Sequence, residues 1–213
     1  MPPRSLHDLG PLTFLDVETT GSREALYVIE LAALRWEGGR EVDRLVTLVD
    51  PGPVEIEATW IHGIARGDLH GAPKWPALLP ALRRLMEGAT LVAHAATVER
   101  RALHTTLARA GGSWDGRRLC TLKLAKLAHP ERSGKGAHTL GNLVALHGLQ
   151  MPGRAHEAYA DTAVLPPLVD AFLARAEDDH TRAAWLRRAY HKGSGVAWPV
   201  PAGPDPACLL SRA

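Results

Sequence analysis

Apolar residues first cluster at Leu12 to Val17 (LTFLDV), just after Gly10-Pro11, and this run reads as a buried strand. Tyr27 to Trp36 (YVIELAALRW) forms a second run, closed by Gly38-Gly39. Glu41 to Val49 alternates Val42, Leu45/Val46 and Leu48/Val49, which predicts a third strand. The short link Glu37-Gly38-Gly39-Arg40 joins the last two as an antiparallel hairpin. Asp50-Pro51-Gly52-Pro53 then stops the meander.

Beyond it the period becomes helical. Trp75 to Met86 is amphipathic, and Thr90 to His94 (TLVAH) is a short apolar strand. Thr97 to Ala110 predicts a helix closed by Gly111-Gly112. Cys120 to Ala128 and Thr139 to His147 are further helices, separated by a loop at Glu131 to Gly136. Glu157 to Leu173 is a long helical stretch that Pro166-Pro167 must kink or divide. Asp178 to His191 is a polar-faced helix, and from Gly193 on a Gly/Pro-rich segment containing Trp198 predicts an extended or disordered end. Strands first, then strand–helix alternation, predict an α/β domain with a mixed sheet.

The chain has 213 residues, 46% of them hydrophobic and 23% charged, which fits one core-bearing domain and excludes wholesale disorder. Its formal charge of +2 hides an asymmetry. Residues 1–58 carry five Arg/Lys against eleven Asp/Glu; residues 59–213 carry twenty against twelve. An acidic segment joined to a basic remainder points to an anionic partner, although scattered surface charge would read the same way. Cys120 and Cys208 form no metal spacing, so a reducing, cytoplasmic setting is expected. Met1 to Thr13 lacks a long apolar stretch, so no signal peptide is expected, and no apolar run approaches the roughly 18–20 residues of a membrane span.

The sharpest chemistry lies in Phe14-Leu15-Asp16-Val17-Glu18-Thr19-Thr20-Gly21. Asp16 and Glu18 project from one face of a strand, roughly 7 Å apart. Adjacent carboxylates on an apolar strand repel, and a divalent cation with oxygen ligands is the simplest compensation. A frayed strand end facing water is the alternative. Glu99 falls on the stripe Ala102, Leu103, Thr106, Leu107, so it points inward, or else serves the helix N-terminus. Asp161 shares a stripe with Val164, Leu165 and Leu168. Four such acids make one shared metal site more economical than four separate accounts. His156 lies five residues before Asp161, about 500° of helix, so it belongs in a loop over the site as a candidate general base.

The set FLDVETTG (14–21), IHGI (61–64), LVAHAATVE (91–99) and HEAYAD (156–161) resembles the DEDDh family of 3′→5′ exonucleases, which includes the proofreading epsilon subunit of bacterial DNA polymerase III. The resemblance runs from about residue 10 to 175 and implies an exonuclease domain over 1–175, with a helix and tail over 176–213. It implies an RNase H-like fold, with a mixed five-stranded sheet flanked by helices. It further implies two Mg²⁺ or Mn²⁺ ions, bridged by Asp16, one completed by Glu18 and Asp161 and the other supported by Glu99. His156 would be the base. Val17, Thr19, Thr20, His62, Ile64, His94 and Ala95 match positions that hold the terminal nucleotide. Three positions depart from the family: Glu99 stands where Asp is usual, Ala95 where Asn is usual, and Val98 where an aromatic is usual.

These readings predict a metal-dependent exonuclease on 3′ ends of nucleic acid, DNA before RNA and single-stranded before duplex, releasing nucleoside 5′-monophosphates. Arg100, Arg101, Lys123, Lys126, Arg132 and Lys135 are candidates for backbone contact. A polymerase or repair partner is a further expectation. An RNA-trimming enzyme of the same fold and a non-catalytic nucleic-acid or polymerase-binding module are the alternatives. The sequence leaves oligomeric state open.

Overall fold

The structure, a computed structural model, describes residues 6–22 and 26–199. Three strands form an antiparallel meander: β1 (Leu12–Thr20), β2 (Tyr27–Glu37) and β3 (Arg40–Leu48). A one-turn helix α1 (Thr59–His62) and the amphipathic α2 (Trp75–Met86) follow. Next come β4 (Thr90–Ala93), α3 (Thr97–Arg109), β5 (Ser113–Asp115) and β6 (Arg118–Cys120). The chain continues through α4 (Thr121–Ala128), α5 (Leu140–Leu146), α6 (Ala158–Ala163), α7 (Leu165–Leu173) and α8 (Asp179–Ala189). It closes with β7 (Tyr190–His191) and β8 (Gly195–Ala197).

The main sheet has the order β3-β2-β1-β4-β6-β7. β4 and β6 run parallel to β1, whereas β2, β3 and β7 join antiparallel. The expected mixed sheet is therefore present, with the two-residue β7 added as a sixth strand. Strand alternation sorts the core. Phe14, Leu34, Val92 and Leu119 face Leu124, Leu143, Leu168, Phe172 and Leu186 on one side. Leu15, Leu31 and Leu91 face Leu82, Leu85, Leu103 and Leu107 on the other. Burying large side chains on both faces supplies the main driving force for closing these layers over the sheet.

Of the two outcomes expected at Pro166-Pro167, division is the one found: α6 ends at Ala163, and the prolines occupy the first turn of α7, where a missing N–H costs nothing. One expectation is corrected. The segment after Gly193 is not a free end where it is described. Ser194 N and Oγ donate to Asp115, β8 pairs with β5, and Trp198 packs on the core shared by Trp114. Three-residue strands are too short for hydrophobic period to reveal, and their partners are about 80 residues apart along the chain. Residues 200–213, with Cys208, lie outside the described residues.

One register difference creates the cleft. β1 pairs with β2 as far as Thr20, but with β4 only through Phe14. From Leu15 on, β1 has no strand on its β4 side. The gap at the strand's C-terminal end is where β4 turns through His94 into α3, and such crevices are the natural ligand sites of open α/β sheets.

Candidate active site

Asp16 and Glu18 fall on this one-sided stretch of β1, on the Phe14 face. α6 packs against both β1 and β2 and brings in Asp161. α3 starts beside the gap, and Glu99 in its first turn is only 3% exposed. A carboxylate oxygen of Glu18, one of Asp161 and a ring nitrogen of His156 all lie within 4.8 Å of one another. Asp16 stands outside that triplet and interacts through charge with Glu18 and Asp161, and Glu99 interacts in turn with Asp16.

Among the described residues no Lys or Arg forms an ion pair with these acids, and their pKa values register the cost. Burial, then repulsion by Asp161 and Glu30, push the Asp16 carboxyl up to about 7. Burial, then Asp16, Asp161 and Glu30, push Glu18 up to about 8. Burial and then Asp16 hold Glu99 well above the usual carboxylate range, and its Oε2 has no hydrogen-bond partner. Burial also raises Asp161, against the stabilising hydrogen bond it accepts from His156 N at 3.3 Å. Converging hard oxygen donors, one of them buried and orphaned, suit divalent cations of the Mg²⁺ or Mn²⁺ type.

The loop before α6 is held in an unusual state. His156 has φ of 61°, left-handed for a non-glycine residue, as has Ala95 at 60° in the turn between β4 and α3. Glu30, directly opposite Glu18 on β2, accepts a hydrogen bond at 3.1 Å from Ala158 N, the first residue of α6. Sequence reasoning missed Glu30, although an acid inside YVIELAAL is the same signal that marked Asp16. It also missed Arg154, whose guanidinium donates to His62 O at 3.2 Å and fills the space where a Cβ on Gly63 would sit.

The cleft, about 530 Å³, is lined by Asp16, Val17, Glu18, His94, Val98, Glu99, His156 and Asp161 on the acidic side. Leu122, Lys126 and the loop 134–140 form the opposite wall. His94 ties the acidic side to that wall, its Nε2 donating to His138 O and its Nδ1 bonded to the Thr121 hydroxyl. Of the other positions assigned to the terminal nucleotide, five lie outside this lining: Ala95, in the turn between β4 and α3, and four more. Thr20 is buried, and its hydroxyl donates to Glu55 O and accepts from Glu57 N. His62 is 2% exposed, with both ring nitrogens engaged by Glu57 O and Ile64 N. Ile64 is buried, and Thr19 is half-buried at the bulge in β1–β2 pairing. These residues brace the segment leading to α1. Among the six basic candidates, Lys126 lines the cleft, Arg100 faces Asp115 and Arg132 donates to Ala137 O.

The fold and site together define a carboxylate-rich, metal-competent α/β domain with an open cleft at the end of its central strand. The chain belongs to the exonuclease family that includes RNase T, whose sequence profile matches residues 13–166. It is 30% identical over 160 residues to the DNA polymerase III subunit epsilon of Aquifex aeolicus, covering 73% of this chain and 76% of that one. It is 32% identical over 173 residues to a DNA polymerase III subunit epsilon-like protein of Rhodobacter capsulatus, 78% of this chain but 24% of the relative's length. The fold is shared with the nuclease domain of 3′hExo, a DEDDh family member solved bound to rAMP. That match has a TM-score of 0.64 and 13% identity, and covers 78% of this chain and 92% of that one.

Proposed function

We propose that the chain is a metal-dependent 3′→5′ exonuclease of DEDDh type, acting on single-stranded DNA ends in the cytoplasm. The observation that carries this reading is the convergence of Asp16, Glu18, Glu99, Asp161 and His156 on one cleft where, among the described residues, no Lys or Arg pairs with the acids. Asp16, Glu18, Glu99 and Asp161 would hold two Mg²⁺ or Mn²⁺ ions. When bound, such ions neutralise the acids and stabilise negative charge on a phosphodiester under attack.

The chain's own residues supply the rest. His156, exposed on its strained loop, takes the proton from the attacking water. The water oxygen bonds to phosphorus, and the bond from phosphorus to the 3′ oxygen of the preceding nucleotide breaks. The products are a nucleoside 5′-monophosphate and a strand shortened by one, ending in a 3′ hydroxyl. Lys126 faces the cleft and would meet the phosphate backbone. The relatives named for polymerase III support a polymerase or repair partner as part of the same reading.

Matched DNA and RNA oligomers, labelled at the 5′ end and incubated with Mg²⁺ or Mn²⁺, test it. A ladder shortening from the 3′ end, abolished by chelator and faster on DNA, is the expected outcome. Equal, metal-independent products from wild type and His156→Ala would overturn it.

A further inference from the structure

Trp60 is 84% exposed, whereas the next most exposed large apolar side chains, Val42 and Leu146, reach only 45%. Tryptophan is rarely left in water without a reason, because its ring buries more apolar area than any other side chain. Its neighbour Ile61 is also exposed, at 39%, so α1 turns an apolar edge to solvent.

That edge is rigidly mounted. His62, the peg of the helix, is buried with both ring nitrogens bonded within its own segment. Gly63 closes the turn with φ of 76°, and its backbone N donates to Thr59 O. From one side the Thr20 hydroxyl, two residues past Glu18, brackets Glu55 O and Glu57 N ahead of α1. From the other side Arg154, two residues before His156, donates to His62 O. The helix is thus tied to both segments that carry the acidic cleft. It lies outside the cleft's lining but is bonded to the segments on either side, so a strand leaving the cleft past them would meet Trp60.

Resting on the exonuclease reading above, we propose that Trp60 is a nucleobase-stacking residue that grips single-stranded nucleic acid at a base upstream of the scissile nucleotide. The occupant is a nucleobase because the same segment holds exposed cations as well as an apolar face: Arg154 and Arg66 are anchored to α1 or to the loop preceding it. A flat π-face on a segment that also holds guanidinium groups suits an unstacked base with its phosphate. A duplex keeps its bases stacked internally, so this contact favours single strands.

The test compares wild type, Trp60→Ala and Trp60→Phe, substitutions that exposure makes harmless to the fold. Binding of a single-stranded 12-mer is measured with Ca²⁺ in place of Mg²⁺, and turnover of the p-nitrophenyl ester of thymidine 5′-monophosphate with Mn²⁺. The ester has no second base. Trp60→Ala is expected to weaken 12-mer binding about 5- to 50-fold, Trp60→Phe by less than about threefold, and neither to change ester turnover. Unchanged 12-mer affinity in Trp60→Ala overturns the proposal, and so does an equal loss on both substrates. A wild type that binds the 12-mer but hydrolyses neither substrate overturns the exonuclease reading. The stacking proposal then stands or falls on the binding ratio alone.

Discussion

Asp16 and Asp115 are both aspartates on strands, yet the protein treats them in opposite ways. Asp115 collects hydrogen bonds from the Ser194 hydroxyl, the Ser194 N–H and Arg118, and its carboxyl falls to about 2. Asp16 is more deeply buried, pairs with no Lys or Arg among the described residues, and rises to about 7 beside Asp161 and Glu30. The fold is able to satisfy a carboxylate and does so where the carboxylate staples β8 to β5. Leaving several unsatisfied at one cleft is costly, and bound divalent cations, as proposed above, would offset that cost. Strain follows the same division. Ala95 and His156, both non-glycine, hold left-handed backbone around the cleft, whereas the positive φ values next to Asp115 fall on glycines, Gly193 and Gly195.

Changes at Asp16 are expected to have the largest effect. Asp16→Asn should lower phosphodiester hydrolysis about 10³-fold or more, because a lost cation site forfeits several kcal/mol of charge stabilisation. In chelator the same variant should be more stable than wild type, by roughly 2 kcal/mol at pH 8, since a repelling charge is gone. Asp115→Ala should do the reverse, destabilising by about 1–2 kcal/mol with hydrolysis nearly unchanged. Thermal melts beside oligonucleotide assays check both. If both variants shift stability in the same direction, the comparison fails.

The pH trends should also oppose each other. Asp16 and Glu18 have folded pKa values above their ordinary ones, so the folded state binds more protons than the unfolded state between about pH 4 and 8. Metal-free protein should therefore lose stability as pH rises through that window, and Mg²⁺ should flatten the loss. The Asp115 contribution has the other sign: it is present above pH 4 and disappears as pH falls toward 2. Melting curves from pH 2 to 8.5, with and without Mg²⁺, distinguish the two. A smaller effect is expected at Ala95. Asn tolerates left-handed backbone better than Ala, so Ala95→Asn should stabilise by up to about 1 kcal/mol, raising Tm by about 2–4 °C.

Much of this was legible in the sequence, and the reasons are specific. Asp16, Glu18, Glu99 and Asp161 each break an apolar pattern, and an acid on a buried stripe is visible without coordinates. The long strands and helices were legible because period accumulates over many residues. Glu30 carried the same signal but lay outside the recognised motifs. Arg154 could not be read at all, because its role is a contact with His62 across 92 positions of chain. His62 illustrates the limit from the other direction. Its motif placed it at the site, yet only the hydrogen bonds of both ring nitrogens reveal it as a brace. Pairing of β5 with β8 was hidden because three-residue strands leave no periodic trace.

The central claim is that the acidic cleft is built around divalent cations that the chain's own groups do not replace. Calorimetric titration of Mn²⁺ into the metal-free protein at pH 7.5, in two buffers of different ionisation enthalpy, tests it most directly. The account predicts saturable binding with proton release, because Asp16 and Glu18 must surrender protons to ligate. It also predicts that Asp16→Asn abolishes most of the heat. No binding, or binding identical in Asp16→Asn and without buffer dependence, would contradict it.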